Sequence, residues 1–220
     1  MNKRARYICF EGCEGLGKST QTQKLVDHLR NKGFQVLQTK EPGTPHSPLT
    51  MQLRSIMLDL KYEEQLTAPA RELISQAVRS IHLEKVIVPA LNLYDYIVQD
   101  RGILSGLAYG SACGNDENWL LDLTRKVTPN SLYTDNARLV YDDVIYLRGN
   151  IEKGLKAAQS AKQEFEAGDA IEAKGISFLE KVASNMERQS RLFNTRTVTV
   201  DGKNIDQVFS DIIKALDLKE

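Results

Sequence analysis

An excess of charge of either sign, long apolar runs and paired cysteines are all missing from this chain. Lys plus Arg and Asp plus Glu each number 29, so the formal charge is zero. That balance gives no electrostatic reason to expect nucleic acid or an anionic membrane as a partner. No apolar run approaches the roughly 20 residues that span a bilayer. The basic start (Met1, Asn2, Lys3, Arg4, Ala5, Arg6) leads straight into an apolar strand pattern, with no secretory core or cleavage site, which points to a cytoplasmic protein. Cysteine is scarce. Cys9, Cys13 and Cys113 are odd in number and lack metal-ligand spacing, so reduced thiols are expected. His28, His46 and His82 are scattered, and no catalytic role follows from them.

What is present is a complete G-x-x-x-x-G-K-S/T sequence from Gly12 to Ser19: Gly12, Cys13, Glu14, Gly15, Leu16, Gly17, Lys18 and Ser19, followed by Thr20. An apolar strand pattern (Tyr7, Ile8, Cys9, Phe10) precedes it and a helical pattern over 20–32 follows, the context a phosphate-binding P-loop requires. The glycines let successive N–H groups turn inward on phosphate oxygens, and the new helix adds the positive end of its dipole. Lys18 supplies a cation for the outer phosphates and Ser19 a hydroxyl for magnesium. The alternative is a glycine-rich turn without a ligand. Cys13 lies inside the loop, where oxidation would block binding, but it does not read as catalytic.

Strand patterns over 6–11, 35–40, 94–100, 143–147 and 195–201 alternate with helical ones. The clearest helix covers 71–89, with Leu73, Ile74, Ala77, Val78, Ile81 and Val86 at helical spacing; the last covers 205–218. Such alternation predicts an α/β fold, a three-layer P-loop architecture with a parallel sheet of about five strands and helices on both faces. Ligands then gather at the carboxyl ends of the strands. The whole chain, 1–220, reads as one domain. A short lid is expected over about 157–173, although the polar stretch 163–175 reads equally as helix surface.

A P-loop alone does not separate kinases from other nucleotide-binding proteins. The Asn-Lys-x-Asp base-reading sequence of GTPases is absent. Instead the third strand ends in Asp100-Arg101. A carboxylate there can hold magnesium, and the arginine can clamp a phosphate with two parallel hydrogen bonds. A surface ion pair is the plainer reading of the dipeptide alone.

Five segments in order then resemble the thymidylate kinase family of nucleoside monophosphate kinases, over nearly the whole chain. They are the P-loop Phe10 to Thr20, the Glu41-Pro42-Gly43-Thr44 loop, Leu53-Arg54 with the following Ser55 to Asp59, the Arg79 helix ending in Val86-Ile87-Val88-Pro89-Ala90-Leu91, and Asp100-Arg101 with Ser105, Ala108 and Tyr109. The resemblance implies a magnesium-dependent enzyme that moves the γ-phosphate of ATP to dTMP. In that case Gly12 to Thr20 hold the donor phosphates, and Lys18, Asp100 and Arg101 are catalytic. Ser19 and Asp100 hold Mg2+. Glu14 meets the acceptor sugar or the metal. Arg54 and Arg101 grip the acceptor phosphate, and Arg79 and Ser105 hydrogen-bond the pyrimidine. Tyr109 lies beneath the deoxyribose, and Glu41 and Pro42 belong to the acceptor loop. Plainer readings stand beside these: Arg79 as a helix surface charge, Tyr109 as packing, Glu41 as a loop cap. The family also implies a possible homodimer, with the apolar 74–81 helix face compatible.

Two positions depart from the family pattern. Ser75 stands where the family usually carries a phenylalanine that stacks on thymine, a contact worth roughly 1–3 kcal/mol by analogy with single-strand binders. A relaxed or shifted acceptor, dUMP or another deoxynucleotide, is the alternative this raises. The family's P-loop or lid arginine is also missing: Glu14-Gly15-Leu16 has none, and the lid position falls on Ala170. Lys162 is the leading substitute, with Lys156, Lys174 and Arg148 behind it. A nucleotide-binding protein with little turnover is the alternative from another class.

Overall fold

A computed structural model describes residues 4–132, 140–162 and 171–218, without the side chains of 157–162 and 172. Strands β1 (Arg6–Glu11), β2 (Val36–Lys40), β3 (Tyr96–Asp100), β4 (Asp143–Arg148) and β5 (Thr195–Thr199) form one sheet in the order β2-β3-β1-β4-β5. Every neighbouring pair runs parallel. β1 is central, and Tyr7 to Glu11 are all buried, as expected of a strand covered on both faces. The expected α/β class and strand count are therefore those observed. Boundaries shift slightly. β3 starts at Tyr96, where its pairing with β1 and β2 begins, and β5 stops at Thr199 ahead of a turn at Asp201-Gly202.

Helix α1 (Lys18–Asn31) packs on β1, β2 and β3 and against α9 (Ile205–Ala215), which covers β5. The start of α9 is fixed by a capping box: the Asn204 side chain accepts from the Gln207 N–H, and Gln207 reaches back to the Asn204 N–H. The second helical layer holds α2 (Pro48–Leu58), α3 (Ala68–His82), α5 (Ile103–Ala112), α6 (Glu117–Val127), α7 (Ile151–Lys162) and α8 (Gly175–Gln189), with α5 packed against α8 and α6.

The helix expected over 71–89 differs in an informative way. It begins at Ala68, with Thr67 capping Ala70 N–H at 3.3 Å and Pro69 in the first turn. At His82 it passes into a π-helical turn, Leu83–Ile87, and a short helix α4 (Val88–Ala90). Pro89 has no N–H and its ring crowds the carbonyl four residues back, so a wider turn lets the chain continue. The apolar positions at helical spacing are not its buried face. Val78 is buried, but Leu73 is 52% exposed, while Arg71, Glu72, Gln76, Arg79 and His82 are the buried residues. Arg71, Glu72 and Arg79 line the cleft that α3 borders, while Gln76 bonds Thr124 and His82 bonds Thr39 and Glu41.

Candidate active site

The carboxyl ends of β1, β2 and β3 meet at one place. After Glu11 the chain wraps through Gly12 to Gly17 and enters α1. Gly12 and Gly15 take φ of +141° and +68°, and a Cβ on Gly15 would stand 1.7 Å from the Gly154 carbonyl oxygen. No other residue fits there. Leu16 and Cys13 are buried in the loop's underside, and burial pushes the Cys13 thiol up, which keeps it protonated. Thr20 continues α1 on its exposed side.

Lys18 is 6% exposed and donates to the Cys13 carbonyl at 2.6 Å. Burial, and then the charge of Arg101, lower its ammonium to about 7. Incoming phosphate oxygens would restore the proton. Above pH 7, ATP binding is therefore expected to take up a proton, and affinity to fall by at most about tenfold per pH unit. Calorimetry at pH 8 in two buffers of different ionisation heat checks this; a heat independent of buffer contradicts it.

Ser19 Oγ donates to Asp100 Oδ2 at 2.5 Å, joining the P-loop to the end of β3. Asp100 Oδ1 is buried and has no hydrogen-bond partner. Among the described residues no group of three or more His, Cys, Asp or Glu could hold a metal alone. A hydroxyl, a carboxylate with an open oxygen and nucleotide phosphates are the donor set magnesium takes, completed by water.

Arg101 sits at φ +61°, held by its N–H to the Phe10 carbonyl at 2.8 Å. Its Nη1 donates to the Gly12 carbonyl at 3.2 Å and to Ser105 Oγ at 3.3 Å. Nη2 lies 3.6 Å from Glu14, and the guanidinium covers the Tyr109 ring at 5.5 Å. Behind it stands Glu11, fully buried, whose carboxylate accepts from the Gly102 and Ser105 N–H groups at 2.9 and 3.1 Å and from the Ser105 hydroxyl. Glu11 thereby caps the start of α5. The Ser105 proton is already given to Glu11, so toward a base this hydroxyl is left as an acceptor only.

The acceptor side is an open cleft. Every residue expected there lines it: Glu14, Glu41, Pro42, Arg54, Ser75, Arg79, Arg101, Ser105 and Tyr109. Arg79 is neither a surface charge nor loosely held. Its Nε donates to Glu41 Oε2 at 3.0 Å, and its Nη1 is buried with no partner. Glu41 also accepts from His82 Nδ1 at 2.9 Å, and His82 Nε2 bonds Thr39 Oγ1 at 2.8 Å. Burial raises the Glu41 carboxyl, but Arg79 and His82 outweigh it and hold it below the usual carboxylate range. The Glu41–Pro42 peptide is cis, and Arg54 Nη1 donates to the Pro42 carbonyl at 2.8 Å.

Sequence reasoning missed Glu11 and His82. A lone glutamate at a strand end and a lone histidine in a helix carry no local signal; their roles exist only once β1 meets α5 and α3 meets β2. As for the missing arginine, Ala170 lies outside the described residues, as does the Lys162 side chain. Lys174 bonds Glu63 at 2.6 Å, Lys156 bonds Glu152 at 2.7 Å, and Arg148 pairs with Glu187 at 3.5 Å.

The thymidylate kinase family model matches residues 10–212. A thymidylate kinase of Acinetobacter baylyi is 30% identical over 92% of this chain and 93% of its own length. One of Sulfurimonas denitrificans is 31% identical over 96% and 100%. The crystal structure of a thymidylate kinase from Ehrlichia chaffeensis superposes with a TM-score of 0.72 at 22% identity, covering 98% of this chain and all of that one. With the P-loop, Asp100-Arg101 and the Glu41–Arg79 cleft assembled as described, the chain belongs to the thymidylate kinase family.

Proposed function

We propose that the protein transfers the γ-phosphoryl group of ATP to the 5′-phosphate of dTMP, giving ADP and dTDP. The observation that carries this reading is the position of Arg101. Its guanidinium bonds the P-loop at Gly12 while lining the cleft that holds Arg79 and Glu41. One cation thus reaches both the phosphoryl group that leaves ATP and the acceptor phosphate that receives it. An acceptor oxygen forms the new bond to the γ-phosphorus as the bond to the β–γ bridging oxygen breaks. The protein's part is positioning and charge stabilisation. The P-loop amides and Lys18 hold the donor, Arg54 and Arg101 hold the acceptor phosphate, and Arg79 offers its unpaired Nη1 to a base carbonyl. Magnesium, held by Ser19 and Asp100 with the phosphates, supplies neutralisation of their charge when bound.

The site's exposed neighbour Leu73, on the outer face of α3, fits a homodimer contact. No described helix is long and apolar enough to cross a membrane.

An ADP-release assay with ATP, magnesium and dTMP tests the reading. Turnover on dTMP, at least ten times that on ATP alone, is expected. An ATP-dependent thermal shift with no ADP formed would overturn it.

A further inference from the structure

Beyond the expected acceptor residues, the cleft holds two more charged groups: Arg71, whose guanidinium donates to the Met57 carbonyl and to Glu63, and Glu72, 6% exposed on α3 and two turns before Arg79. Its Oε1 accepts from Gln76 Nε2 at 2.7 Å, and Gln76 is itself anchored to Thr124 Oγ1 at 3.1 Å. Among the described residues no donor bonds the other oxygen, Oε2. Burial pushes this carboxyl above its ordinary value, an effect the Arg79 charge and the Gln76 hydrogen bond only partly offset. Glu72 lines the cleft with Oε2 uncommitted, so it can accept a hydrogen bond from a ligand donor.

Glu72 and Arg79 lie against glycines of α5. A Cβ on Gly106 would stand 2.4 Å from Arg79 Nη2 and 3.0 Å from Nη1, and a Cβ on Gly110 would stand 2.9 Å from Glu72 Oε2. Gly106 and Gly110 are four residues apart, so the two glycine positions that the guanidinium and the carboxylate face are spaced by about one helical turn, roughly 6 Å, along α5. Ser75 lies between Glu72 and Arg79 on α3 and lines the same cleft. The base end is therefore bounded by a donor (Arg79 Nη1, unpaired), an acceptor (Glu72 Oε2) and small side chains where an aromatic ring would otherwise fill the space.

We infer that Glu72 and Arg79 together read the edge of the acceptor base, and that the subsite takes deoxyguanylate as a second acceptor beside dTMP. The chemistry is that of a carbonyl next to a ring N–H. Thymine and guanine both present it, the carbonyl to Arg79 and the N–H to Glu72. Guanine adds an amino group one position further along, a second donor for the carboxylate, across the span the two glycines set. Cytosine and adenine present an amino group followed by a bare ring nitrogen. That places donor against donor at Arg79 and lone pair against carboxylate at Glu72, and unpaired buried groups of this kind reject a ligand strongly. Ser75, where the family usually carries a phenylalanine, leaves room on this wall for the larger bicyclic base.

This inference rests on the dTMP-kinase reading, and one panel separates the two. With ATP and magnesium, kcat/KM is measured for dTMP, dGMP, dCMP and dAMP on the unmodified protein, on Glu72→Gln and on Ser75→Phe. The unmodified protein is expected to turn over dGMP within about 100-fold of dTMP, with dCMP and dAMP at least tenfold below dGMP. Glu72→Gln is expected to lower the dGMP-to-dTMP ratio at least tenfold through KM and to raise dCMP relative to dTMP. Ser75→Phe is expected to lower the dGMP-to-dTMP ratio at least tenfold by refilling the space. Turnover of dTMP with none of dGMP overturns the inference and leaves the dTMP reading standing. A parallel loss on all acceptors in Glu72→Gln assigns Glu72 to structure and overturns its base-reading role. Inactivity of the unmodified protein on every acceptor overturns the dTMP reading itself.

Discussion

Replacing Arg101 with alanine is expected to lower kcat/KM for the acceptor about 10³-fold or more, the range spanned by arginines that neutralise a migrating phosphoryl group. The magnitude follows from its position. Arg101 is held in a left-handed backbone conformation by the Phe10 carbonyl, its side chain is braced by Ser105 and Tyr109, and its guanidinium bonds the Gly12 carbonyl beside the donor phosphates. The family arginine expected in the P-loop or lid is absent from those positions in the sequence. Lys174, Lys156 and Arg148 each have a carboxylate partner of their own. Lysine at 101 is expected to restore less than a tenth of the lost rate, because a point charge does not reproduce a planar fork over two phosphates. Steady-state kinetics of the alanine and lysine variants, with KM for ATP measured alongside, decide the matter. An alanine variant within tenfold of the unmodified protein would remove Arg101 from the centre of the mechanism.

Replacing Lys18 with methionine is expected to cost about 10²–10³ in kcat, the usual loss when one preorganised charge-stabilising group is removed. The fold itself should gain. Lys18 is buried, and burial followed by Arg101 lowers its ammonium to about 7, below its ordinary value. Between that value and the unfolded one the unfolded chain binds the extra proton, so lysine destabilises the empty protein most at low pH and progressively less as pH rises. Methionine fills similar volume without a charge to desolvate. Thermal melting at pH 6 and pH 9 without nucleotide should therefore show the variant more stable at pH 6, with the gap narrower at pH 9. A variant less stable at both values would mean that the bond from Lys18 to the Cys13 carbonyl holds the empty loop together. Activity lost together with stability gained is the pattern of a group kept for function.

Much of this was legible in the sequence because it lies in contiguous residues. The P-loop, the Asp100-Arg101 pair and the Glu41-Pro42 loop each sit at a strand end, and a strand end in a parallel sheet is where ligands bind. What was illegible depends on pairs distant in the chain. His82 matters through Glu41 and Thr39 on another element, and Glu11 through the N–H groups of α5. The α3 pattern misled for a related reason. Hydrophobic periodicity locates a core face, but this helix turns its charged side inward to a cleft and leaves Leu73 outside. The Ser75 departure was visible at once; the neighbouring carboxylate that gives the space a chemical character was not, since Glu72 reads as an ordinary helix surface residue until Gly110 is placed against it.

The carboxylate of Glu11 has a consequence for how such a site can diversify. It belongs to the strand that runs into the donor loop, and it grips the backbone that carries Arg101 and Ser105. The two phosphate-handling halves are thus bolted to one post, and neither can retreat from the other to admit a bulkier acceptor. The gauge between them is fixed at that end. All tolerance lies at the opposite end, where Gly106 and Gly110 present bare backbone to α3, so a change of clientele requires altering only that wall while the machinery of transfer stays as built.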